Sequence, residues 1–129
     1  MQNRDESDRL FAELLAILQS DPSIDQRLYE DTRLMISRRL ASAGKFAEAE
    51  PMVRSVIADI RASKPLRETD LISALDALGS LYDKMQKREE RAAVYQESLP
   101  MARSRLGPDH FHVGIVHHNL GQALADLGR

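Results

Sequence analysis

Residues 75–95 read LDALGSLYDKMQKREERAAVY, and residues 117–129 read HHNLGQALADLGR. At an offset of 42 positions Leu78-Gly79 falls on Leu120-Gly121 and Lys87 on Arg129. The offset runs through the whole chain without a gap. Glu48 meets Glu90 and Arg61 meets Arg103. Phe11, Val53 and Tyr95 coincide, as do Leu15, Ile57 and Leu99, and Leu18, Ile60 and Ala102; in the intervening segments Ile36, Leu78 and Leu120 coincide. The recurring residues are apolar and sit at helical spacing, never in alternation with polar ones. A period of this length marks stacked supersecondary units, because one pair of amphipathic helices cannot bury both its faces alone.

The boundaries follow from turn chemistry. Leu10, Phe11, Leu14, Leu15 and Leu18 form a first helical stripe, stopped at Ser20-Asp21-Pro22-Ser23. A second helix runs from Ile24 to Ala43 with Leu28, Thr32, Ile36, Leu40 and Ala43 on one side, and Gly44 reads as its stop. Phe46 to Ser63 aligns Ala49, Val53, Val56, Ile57 and Ile60 before Pro65. Leu71, Leu75, Leu78 and Tyr82 line a fourth helix. Val94, Tyr95, Leu99 and Ala102 line a fifth, ended by Gly107-Pro108. Val113, Val116, Leu120 and Leu124 line a sixth, closed by Gly128. Short connections force neighbours antiparallel. The expected fold is all-α, a superhelix of six antiparallel helices in one domain, 1–129. Its units are 4–45, 46–87 and 88–129, each a hairpin's second helix followed by the next hairpin's first. Gly79 and Gly121 fall mid-helix, where glycine costs about 1 kcal/mol against alanine. Their common register predicts a helix packed closely on each, with Ser37 holding that place in the first unit. Tyr29, Tyr82 and Tyr95 are expected in the core.

These residues resemble the tetratricopeptide repeat. LDALGSLYDKMQKREERAAVY and HHNLGQALADLGR carry the resemblance, and GKFAEAEPMVRSVI adds Gly44, Phe46 and Ala49. The period of 42, the EAEP segment and the GPDH turn resemble the longer kinesin-light-chain type of repeat. Departures are Arg33 and His117 where an apolar helix residue such as Leu75 belongs, Arg91 where Ala49 supplies a small one, and Phe111-His112 after GPDH. The resemblance implies a scaffold for protein–protein interaction that holds a peptide or protein segment on the concave face, lined by the first helix of each hairpin. Carried onto this chain, the groove positions are Asp31, Leu34, Arg38 and Ala41, then Ser73, Asp76, Ser80 and Asp83, then Ile115, His118, Asn119 and Gln122. Arg38, Asp76, Ser80, Asp83, His118, Asn119 and Gln122 are the expected partner-binding set. Asn119 precedes Leu120-Gly121 as in the family's frequent Asn-Leu-Gly, and its amide can both donate to and accept from a peptide backbone. Ala77 stands there in the second unit. The lysine- and asparagine-rich clamp for a terminal carboxylate is not present, and Asp76 and Asp83 imply a partner with basic character near the second unit. Two alternatives have other bases. The first and last helices each lack a hairpin mate, so the chain could self-assemble through open ends. It could also be the regulatory domain of a larger multidomain enzyme.

Composition narrows the remaining classes. The 129 residues are 43% hydrophobic and 29% charged, as suits a globular chain, and their net charge of −2 shows no basic excess for nucleic acid. There is no cysteine, hence no disulfide, thiolate metal site or cysteine nucleophile. No apolar run approaches the ~20 residues that span a bilayer. The charged MQNRDESDRLF start is unlike a signal peptide, so a cytoplasmic protein is expected. His110, His112, His117 and His118 cluster, but no two stand three or four apart as chelation from one helix face requires. Cap and surface roles are expected for them, with no metal and no cofactor. No GxSxG, phosphate-binding glycine loop or HExxH occurs, and no enzymatic activity is expected. The mixed-sign KMQKREER run, 84–91, reads as a solvated connection, whereas Arg38 should point to the inner surface.

Overall fold

In the computed structural model the described residues are 2–21, 23 and 25–128, with side chains from Asp5 onward. Pro22 of the expected first turn, Ile24 as the expected start of the second helix, and Arg129 lie outside the described residues. Six helices follow one another: α1 (Gln2–Ser20), α2 (Gln26–Ser42), α3 (Phe46–Arg61), α4 (Glu68–Lys84), α5 (Arg88–Leu106) and α6 (Phe111–Asp126). No strand occurs among the described residues. Each helix packs on its neighbours in sequence, and α2 also touches α4 across the inner side. The chain is all-α, an array of helical hairpins.

Local chemistry sets the helix ends. Asp25 caps α2, its Oδ1 accepting the Arg27 amide at 2.9 Å. His110 caps α6 in the same way, its Nδ1 accepting the His112 amide at 3.0 Å. Three turns share one left-handed residue at one register: Gly44 (φ 77°), Gln86 (φ 59°) and Gly128 (φ 76°). Glycine adopts that conformation freely, whereas glutamine does so at a cost.

Two adjoining clusters make an elongated core. The larger gathers Ala49, Val53, Val56, Ile57 and Ile60 of α3, Leu71, Leu75, Leu78 and Tyr82 of α4, and Val94 of α5. The smaller joins Ile72, Tyr95, Leu99 and Ala102 to Val113 and Val116 of α6. Two expectations need correction. Leu28 and Ala43, expected on one side of α2 with Thr32, Ile36 and Leu40, are exposed, and of that set only Thr32 is fully buried; the helix also buries Glu30, Arg33, Leu34, Ser37 and Ala41. Polar side chains can be buried there because each makes at least one hydrogen bond. The Arg33 guanidinium stacks 3.9 Å from the Tyr29 ring centroid and donates to Ser55 Oγ at 2.9 Å and Asp59 Oδ2 at 2.8 Å. Glu30 accepts two bonds from Arg67, at 2.9 and 2.5 Å, and these bonds hold the guanidinium above its ordinary pKa. Second, the two mid-helix glycines are not equivalent. A Cβ on Gly79 would lie 2.6 Å from the Tyr95 ring, whereas one on Gly121 would meet nothing within 4 Å. Gly79 lies beneath Tyr95 of α5, whereas no described residue lies against Gly121.

Candidate functional site: a groove between α2 and α4

Successive first helices, α2 and α4, face one another across a shallow groove of about 510 Å³. Ser37, Arg38 and Ala41 come from α2, and Ser73, Asp76, Ala77, Ser80, Leu81 and Lys84 from α4, with Val53 of α3 at its base. The spacing explains the lining. Ser73, Asp76, Ser80 and Lys84 recur at three or four residues, one lane of a helix, and Ser37 and Arg38 lie one turn before Ala41 on the facing one.

The structure brings Arg38, Asp76 and Ser80 of the expected set to this groove, and leaves Asp83, His118, Asn119 and Gln122 outside its walls. Of the wider set, Leu34 is buried beneath the surface rather than offered to a ligand, and Ala41 is buried at the groove wall. His118 and Gln122 are exposed on α6 and Asn119 is half-buried. On the same helix Phe111 is 81% exposed and Ile115 39%, two apolar side chains one turn apart.

The charges differ from those the sequence implies. Asp76 does not stand free: its Oδ2 lies 2.7 Å from His112 Nε2, a link from α4 to α6. Burial raises the Asp76 carboxyl above its usual pKa, against the opposing pull of His112. Asp83 is held 2.6 Å from Arg91, which also reaches Asp126 at 3.4 Å, so it faces the ends of α5 and α6. An acidic groove floor, and the basic partner inferred from it, rested on Asp76 and Asp83 being unpaired. The unpaired charges at the groove are Arg38 and Lys84, neither of which has an ion pair or hydrogen bond among the described residues. Lys84 escapes notice in the sequence because it opens the mixed-sign run; its place four residues past Ser80 is the signal that finds it. The histidines separate by role. His110 caps, His112 pairs, and His117 and His118 are exposed. No group of three or more metal-ligating side chains occurs among the described residues, and no described helix is long and apolar enough to cross a membrane.

No curated protein matches the chain. Residues 71–112, from the first turn of α4 through α5 to the start of α6, match the family model described as a tetratricopeptide repeat. Such repeats form a non-catalytic family that generally mediates protein–protein interaction. With six helices packed in sequence, the chain is an array of helical hairpins that carries a tetratricopeptide repeat across α4 and α5.

Proposed function

We propose that the chain holds an extended, acidic segment of another protein in the groove between α2 and α4. One observation carries the reading: Arg38 and Lys84 line the groove unpaired, while His112 and Arg91 occupy the neighbouring carboxylates Asp76 and Asp83. Two cations without internal partners favour a segment rich in aspartate or glutamate, and a guanidinium can take a carboxylate through two parallel bonds. Ser73 and Ser80 offer hydroxyls to its backbone. The track extends along α6, where Asn119, Gln122 and His118 supply polar contacts, and Phe111 and Ile115 an apolar surface for one large side chain. Aromatic anchors commonly carry much of such an interface.

Fluorescence anisotropy with two labelled peptides of equal length, one alternating glutamate with leucine and one alternating lysine with leucine, tests this. The acidic peptide should bind more tightly, with an affinity that falls as salt rises. Arg38→Glu and Lys84→Glu should each weaken it about tenfold, ~1.4 kcal/mol. Equal or tighter binding of the lysine peptide would end the reading.

A further inference from the structure

The outer helices leave open two faces that the inner helices bury. On α1, Leu10, Leu14 and Ile17 form a lane exposed by 52%, 36% and 59%. At the repeat offset Leu14 corresponds to Val56 and Ser98, both fully buried, and Leu10 to Val94, packed in the core with Leu75 and Leu78 of α4. The lane that α1 turns to solvent is therefore the one α5 lays on α4. On α6, Gly114, His117 and Gly121 are exposed, while their counterparts on α4, Ile72, Leu75 and Gly79, are buried. Inside the chain, Tyr95 of α5 covers Gly79. The residue of α1 in the register of Tyr95 is Phe11, half-buried, with its ring 5.1 Å from the Arg39 guanidinium.

We propose that a second copy of this chain docks head to tail, its α1 on the open face of α6, with Phe11 over Gly121 as Tyr95 lies over Gly79. The occupant is a second copy because α1 carries the side chains that the α4–α5 interface requires at matching register, so the docked pair continues an interface already built within each chain. The contact joins unlike surfaces, so it propagates into a ring or filament rather than stopping at a two-fold dimer. It also covers the apolar lane of α1, which is otherwise left in water. It is independent of the groove reading, since neither Arg38 nor Lys84 takes part.

Sedimentation equilibrium of the full 129-residue chain, from low micromolar to near-millimolar concentration, tests it with two variants. Leu14→Glu blocks α1 and leaves α6 intact; Gly121→Leu blocks α6 and leaves α1 intact. Leucine at 121 meets nothing within 4 Å of its Cβ in the monomer, so α6 should accept it, and unchanged helical circular dichroism checks this. Wild type should grow beyond twice the chain mass as concentration rises. Each variant alone should associate at least tenfold more weakly, and an equimolar mixture should recover a dimer through the one intact α1 and the one intact α6. Gly121→Ala, a smaller change, should weaken association in the same direction. A wild-type monomer throughout, or a mixture no more associated than its components, would overturn the proposal. So would Gly121→Leu associating like wild type while Leu14→Glu does not, which would mean that α1 pairs with α1.

Discussion

Gly79 and Gly121 share a register but not an environment, so one substitution should act in opposite directions. Alanine gains about 0.5–1 kcal/mol over glycine inside a helix. At Gly121 nothing opposes that gain, and Gly121→Ala should raise the urea midpoint of the dilute monomer. At Gly79 the new methyl would press on a Tyr95 ring already fixed in the core with Val113 and Val116. Gly79→Ala should therefore lower the midpoint, by about 1–3 kcal/mol of overpacking less the propensity gain. Gln86 offers a third case. Its φ of 59° matches that of Gly44 and Gly128, and Gln86→Gly should relieve about 0.5–1 kcal/mol, read by the same denaturation. The sequence showed both glycines on one lane. It could not show that only one of them lay under another helix, because that depends on what the next element supplies.

Among the elements, α2 departs furthest from its apolar pattern. Its inner side is held by ionic side chains that reach other helices, Arg33 to α3 and Glu30 to Arg67 at the start of α4. Glu30 is almost wholly buried, and removing its partner would leave an uncompensated carboxylate. Arg67→Met should cost about 3–5 kcal/mol, and much less on a Glu30→Leu background, as a double-mutant cycle would show. A similar network joins α3 to α4 and the turn beyond it. Tyr82 donates to Glu50 Oε1 at 3.0 Å, Arg54 contacts both Glu50 and Tyr82, and the Lys87 ammonium lies 3.7 Å from Glu50. Burial works against the Glu50 carboxylate, but these partners outweigh it and hold its pKa below the ordinary value. A depressed carboxylate contributes stability that is present above its unfolded pKa and lost as pH falls through the folded one. Glu50→Gln should thus destabilise the chain at neutral pH, with the difference closing below about pH 4. Thermal melts across that range would measure it. Apolar periodicity located α3 through α6 to within a few residues, yet was a poor guide to the buried side of α2. Ion pairs between distant helices leave no period in the sequence.

For the whole molecule, contacts are concentrated in the middle. Among the described residues of α1 Leu18 alone is buried, against eight in α4. Amides of α1 should exchange hydrogen fastest among the helices and those of α4 slowest, measured on dilute protein so that association does not protect α1. The architecture was legible in the sequence because the repeat states it more than once. The groove was legible only in part. Arg38, Asp76 and Ser80 followed from register, but the sign of the free charge did not, since His112 and Arg91 reach Asp76 and Asp83 from outside the repeat pattern. The left-handed residues at 44, 86 and 128 have a further consequence. They place the same corner at the end of every first helix, so the chain behaves like a ruled strip whose marks are 42 residues apart. What matters in shortening such a strip is the length removed. Excising residues 46–87 would join one corner to the next stretch in phase, and the remainder should keep its helical signal per residue. A cut two residues longer would set the following helix about half a turn out of phase with that corner, turning its apolar lane to the wrong face, and the helical signal per residue should fall.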